Sequence, residues 1–193
     1  MRAIIASAED AADMRRRMGA AALDREAASD GSWQARWRTT VASRLPGEQW
    51  PQRPVFITAV DAETGEPVVF DHLSGVDLAD AVAASCSSGL PYRIGDRWYI
   101  DGGYRRNENA DLAEGYGRVL VLSPFGGRSL TPPAWGLQLA AQVDELGAGA
   151  ARWRRSSRTT VPSTCSAPTR WTCRSVPWPL EPDTNKELPW STT

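Results

Sequence analysis

The sequence predicts an α/β protein with a mostly parallel sheet, and three observations carry that reading. Two apolar runs, Pro54-Val55-Phe56-Ile57-Thr58-Ala59-Val60 and Arg118-Val119-Leu120-Val121-Leu122, are nearly continuous and rich in β-branched residues, the pattern of strands covered on both faces. Segments with helical character alternate with them, which is how sheets with helical crossovers are written. A chain of 193 residues, 41% of them hydrophobic, is long enough to bury the core of one domain.

Residues 8–28 are dense in strong helix formers and set Ala11, Met14, Met18 and Ala22 at helical spacing, so an amphipathic helix is expected there. Asp30-Gly31-Ser32 breaks it. Trp33, Trp37, Val41 and Leu45 then form a second apolar stripe, closed by Pro46-Gly47. Tryptophans at that spacing are core residues or a ligand platform, and the core reading is preferred. Arg36, Arg38 and Arg44 read as a solvated helix face rather than a nucleic-acid surface, because acidic residues are interleaved with them.

The first strand run, Pro54 to Val60, meets a turn signal at Glu63-Thr64-Gly65-Glu66, and Val68-Val69-Phe70 reads as the returning arm of a hairpin. Asp77 is placed to cap a helix over Leu78–Ser85, whose alanines permit close packing on a sheet; Gly89 and Pro91 end it. Tyr92-Arg93-Ile94 and Arg97-Trp98-Tyr99-Ile100 flank Gly95-Asp96, a two-residue hairpin turn. Asn109 stands as N-cap of a short helix over Ala110–Glu114, with Asp111 in its first turn. The Arg118–Leu122 run is expected as the second buried strand, and a last helix runs from about Trp135 to Leu146.

Composition narrows the function. With 22 basic and 23 acidic residues the net charge is -1, so no overall field draws in nucleic acid or an anionic membrane. The first residues lack the apolar core of a signal peptide, and no run approaches the roughly 18 apolar residues of a membrane span, so a cytoplasmic protein is expected. Cys86, Cys165 and Cys173 lack metal-ligand spacing and His72 is the single histidine, which argues against zinc chemistry and against a Ser-His-Asp triad. No cofactor or metal is expected.

The densest stretch for chemistry is Trp98-Tyr99-Ile100-Asp101-Gly102-Gly103. A carboxylate at the end of an apolar strand, followed by paired glycines, suits a backbone that must turn where side chains would obstruct a ligand. The same residues also make a plain turn.

The order Ala83-Ala84-Ser85, Pro91, Trp98 to Gly103, Asn109 with Asp111-Leu112-Ala113, and Val119 to Leu122 resembles the second half of a patatin-like phospholipase domain over roughly Pro54 to Leu146. The resemblance implies a partial three-layer sandwich, truncated at its N-terminal half, over 51–150; the residues themselves read as a helical segment over 1–50 before it and an irregular tail over 151–193 after it. It implies a serine lipid acyl hydrolase acting on an acyl ester or glycerolipid, with Asp101 as the aspartate of a Ser-Asp dyad and Gly102, Gly103 and Asn109 supporting the motif. A carboxylate would then activate the serine without a histidine, and backbone N–H donors would stabilise the oxyanion by about 3 kcal/mol each.

The chain departs from the family in one respect: no G-x-S-x-G elbow and no glycine-rich oxyanion segment occur, and Ser74 and Ser88, each beside a glycine, lack the elbow context. Met1 is expected to begin after the catalytic first half of the domain, leaving this chain inactive alone and its exposed core strands prone to self-association. The alternative is a binding module or inactive remnant.

From Arg152 the composition shifts to Pro, Ser, Thr, Arg and Trp without apolar periodicity. Two readings stand for this tail: a disordered basic segment that binds a partner, or a stretch whose codons are read one base out of frame, the shifted frame giving a buried strand, a polar loop and an amphipathic helix.

Overall fold

The computed structural model describes residues 1–148, and the expectations for the tail over 151–193 lie outside them. Helix α2 (Ala11–Ala27) occupies the first predicted helical stretch, and a short helix, α1 (Arg2–Ser7), which the sequence reading did not expect, precedes it. The break between them is set by Asp10, whose carboxylate accepts the Asp13 backbone N–H at 2.7 Å and caps α2. Helix α3 (Trp33–Ala42) follows, then strands β1 (Ile57–Asp61) and β2 (Pro67–Phe70), helix α4 (Leu78–Ser85), strands β3 (Tyr92–Ile94) and β4 (Arg97–Asp101), and helix α5 (Leu139–Ala148). None of the described helices is long and apolar enough to cross a membrane.

The four strands form one sheet in the order β2-β1-β4-β3, and every pairing is antiparallel. The mostly parallel sheet expected from the sequence is therefore corrected to an antiparallel one in a mixed α/β fold. Short turns join β1 to β2 and β3 to β4 and make those pairs antiparallel, and the two hairpins then meet through an antiparallel β1–β4 pairing. Residues 118–122, the expected second buried strand, form no strand, and Leu120 and Leu122 are 70% and 79% exposed. They find no place beside β1, because β2 and β4 already occupy both of its edges.

Helices cover both faces of this sheet, and the alternation along each strand sorts its residues between them. On one face Ala59, Phe70 and Tyr99 pack with Ala81, Ala83 and Ala84 of α4 and Val41 of α3. On the other, Val60, Ala62 and Ile100 pack with Met14, Met18 and Ala22 of α2 and Ile5 of α1. Trp33 and Trp37 pack against the first core, with their indole N–H groups donating to Glu26 Oε2 at 2.9 Å and to the Ala83 carbonyl at 3.0 Å. Arg38 faces Asp80 at 2.7 Å and Asp77 at 3.2 Å, an intramolecular use of charge. Asp77 precedes α4 as expected but gives it no side-chain cap. The last helix starts later than expected: Pro133–Trp135 form a separate 3₁₀ turn before α5.

Candidate active site

Asp101 is the last residue of β4, and its position follows from the sheet register. It lies opposite Ala59 of β1, so its side chain takes the sheet face that α4 covers, just past the end of that helix at Cys86. Its backbone N–H donates to the Ser87 carbonyl at 3.2 Å, tying the strand end to the loop after α4. The carboxylate is half-buried, and Oδ1 accepts the Gly103 N–H at 2.8 Å. Burial pushes the Asp101 carboxyl above the ordinary aspartate range, and the Gly103 hydrogen bond offsets this in part. The Cys86 thiol and the Tyr104 hydroxyl are both pushed up, first by burial and then by the negative charge of Asp101.

Both glycines are required by close approach. A Cβ on Gly102 would sit 2.2 Å from the Thr58 carbonyl oxygen and 2.3 Å from Thr58 Oγ1, so β4 passes β1 here with no room for a side chain. A Cβ on Gly103 would meet Asp101 Oδ1 at 3.0 Å, within the space the carboxylate uses. Gly102–Tyr104 form a 3₁₀ turn directly after the strand.

Asn109 is drawn to the same place by a different route from the one its sequence position suggests. It precedes the 3₁₀ turn Ala110–Ala113 but offers no side-chain cap; it adopts a left-handed conformation (φ 49°), which asparagine tolerates better than most residues. Its Nδ2 donates to the Arg106 carbonyl at 2.7 Å and to the Gly102 carbonyl at 3.4 Å, while Oδ1 accepts from Arg105 at 2.8 Å. Asn109 thus ties the loop back to the Asp-Gly-Gly turn.

The sequence reading missed Arg105 and gave Asp111 only a first-turn role. The Arg105 guanidinium grips Asp111 through two hydrogen bonds of 2.9 and 2.5 Å. Burial raises the Asp111 carboxyl, but the Arg105 hydrogen bond and charge outweigh it and hold the group below the ordinary range. Arg106 completes the brace by reaching Glu145 of α5 at 2.5 Å.

Among the described residues the carboxylate of Asp101 hydrogen-bonds only to Gly103, and no serine hydroxyl pairs with it. Ser87 is buried with its hydroxyl committed to the Ala84 and Tyr99 carbonyls, at 2.7 and 3.1 Å. Ser74 donates to Asp71 in a distant turn. Ser88 lines a cavity of about 320 Å³ with Arg25, Met18, Ile100 and Tyr104, beside the turn that follows Asp101. No cluster of three His, Cys, Asp or Glu side chains suited to a metal ion forms among the described residues. No protein-family model, curated protein or solved structure matches this chain.

Proposed function

We propose that this chain contributes the general-base half of a serine lipid acyl hydrolase, with Asp101 as the base and an acyl ester or glycerolipid as substrate. The observation that supports the reading best is the setting of Asp101: a half-buried carboxylate at a strand end, aimed by one backbone N–H and followed by two closely packed glycines. A carboxyl raised by desolvation is a better proton acceptor than an ordinary aspartate once ionised, as general-base catalysis requires. The nucleophile would be a serine from outside the described residues, approaching the free oxygen of Asp101.

The chain alone is expected to leave p-nitrophenyl butyrate intact and to escape labelling by a fluorophosphonate probe. Supplied with a polypeptide carrying a G-x-S-x-G nucleophile elbow, it is expected to turn the ester over, with a loss of at least about 100-fold in Asp101→Asn. Turnover that survives Asp101→Asn, or none in the reconstituted pair, removes the hydrolase reading. A second reading, a binding module without catalysis, is favoured by the lack of any serine paired with Asp101 among the described residues.

A further inference from the structure

The cavity of about 320 Å³ beside the Asp-Gly-Gly turn owes its lining to strand alternation. Successive residues of a strand take opposite sheet faces, so Ile100 turns toward α2 while Asp101, next along β4, turns toward α4. Ile100, Met18 and Ala22 supply apolar walls, and Asp101 does not line the cavity. Arg25, three residues beyond Ala22 and so on the same side of α2, brings the one charged side chain of the lining among the described residues. Its guanidinium sits at the cavity, because it donates to the carbonyl of Gly89, itself a lining residue. That carbonyl is its only hydrogen-bond partner among the described residues, which leaves most of its five N–H donors for another acceptor. The Tyr104 hydroxyl, in the same lining, feels the charge: Arg25 opposes the rise that burial and Asp101 impose on it.

We propose that this cavity binds a small apolar molecule ending in a carboxylate, the acid group on the Arg25 guanidinium and the hydrocarbon against Met18, Ala22 and Ile100. The sign of the ligand charge follows from the lining: a carboxylate would accept charge-assisted hydrogen bonds from donors that have no other partner, whereas an ammonium would meet a cation and no acidic side chain. The volume lies at the low end of the roughly 300–1000 Å³ of small-molecule sites, which suits one compact charged head on a short chain. The inference uses no property of Asp101 as a base, so it stands apart from the hydrolase reading and each can fail without the other.

Octanoate and n-octylamine, titrated into the full chain with isotope-labelled methionine methyl groups and followed by NMR, test it. Met18 lines the cavity and Met14, one turn earlier on α2, does not, so the two methyl signals locate the ligand. Octanoate is expected to shift the Met18 signal saturably and by more than the Met14 signal, and octylamine to bind at least about 10-fold more weakly. Arg25→Gln, at an exposed position, is expected to weaken octanoate about 10-fold, and Arg25→Lys, which keeps the charge but not the planar fork, by less. The ligand-free methyl spectrum shows whether each variant keeps the fold, and where one does not, the two probes on the unaltered chain decide. A Met18 signal unmoved by octanoate, equal binding of the two probes, or octanoate affinity unchanged in a folded Arg25→Gln would overturn the proposal.

Discussion

At the scale of single residues, Asp101 sets its own pH dependence. Its carboxyl is raised in the folded state, so the fold binds this proton more tightly than the unfolded chain does. The associated stability is fully present below the unfolded value of 3.8 and is lost as pH rises through the raised folded value. Asp101→Asn is therefore expected to raise Tm relative to wild type at pH 7 and to leave it nearly unchanged at pH 3, a difference that calorimetry at the two pH values checks. Asp111 has the opposite sign: its depressed carboxyl stabilises above the ordinary value, and that contribution is lost as pH falls through the folded one. Gly102→Ala is expected to cost about 3 kcal/mol, because the added methyl meets the Thr58 backbone, which cannot turn aside. Gly103→Ala meets only the movable carboxylate and is expected to cost about 1 kcal/mol, so urea melts of the two variants should separate them. The Asp-Gly-Gly turn was legible because strand, acid and glycines are consecutive. Its brace was not, because the partners of Arg105 and Arg106 are defined by a loop conformation and by α5, neither of which periodicity reports.

At the scale of elements, what turn chemistry fixes was readable and what partner availability fixes was not. Both hairpins follow from their turn residues, and α4 from its alanine-rich face. The Val119–Leu122 run has strand composition, yet composition cannot say whether a ladder edge is free, and here the edges of β1 are taken. The contact of α2 with β1 gives a further test. Gly19 lies mid-helix, where alanine would gain about 1 kcal/mol in propensity. A Cβ there, however, would fall 2.0 Å from the Ala62 carbonyl oxygen, so the helix would have to lift from the sheet. Gly19→Ala is expected to destabilise by about 1–2 kcal/mol net, lowering Tm by roughly 2–4 °C per kcal/mol. A rise in Tm would show that the helix does not pack this closely.

At the scale of the whole molecule, several exposed apolar side chains lie close together in the chain, while Met1, Val69 and Leu73 are exposed elsewhere. Leu120, Leu122, Phe125 and Leu130 are 58–79% exposed, and Phe56, which lines a groove with Leu120 and Leu122, is 48% exposed. Such a patch favours association, so the purified chain is expected to self-associate at micromolar concentration. Leu120→Ser with Leu122→Ser should shift sedimentation toward the monomer, whereas a wild-type monomer across that range would refute the expectation. The layering of helices on both sheet faces was legible in outline, since each predicted helix carried one apolar stripe; strand direction was not, because it depends on which hairpin arms meet. That meeting has a kinetic consequence. Each hairpin closes locally, but β1 joins β4 only when Asp61 reaches Tyr99 across the intervening helix α4, a loop closure whose entropy must be spent before any contact rewards it. This seam is expected to be the slow step of folding, and it is also what brings Ala59 opposite Asp101. The carboxylate has no defined surroundings until the sheet is complete, so the site is expected to be gained and lost together with the β1–β4 pairing.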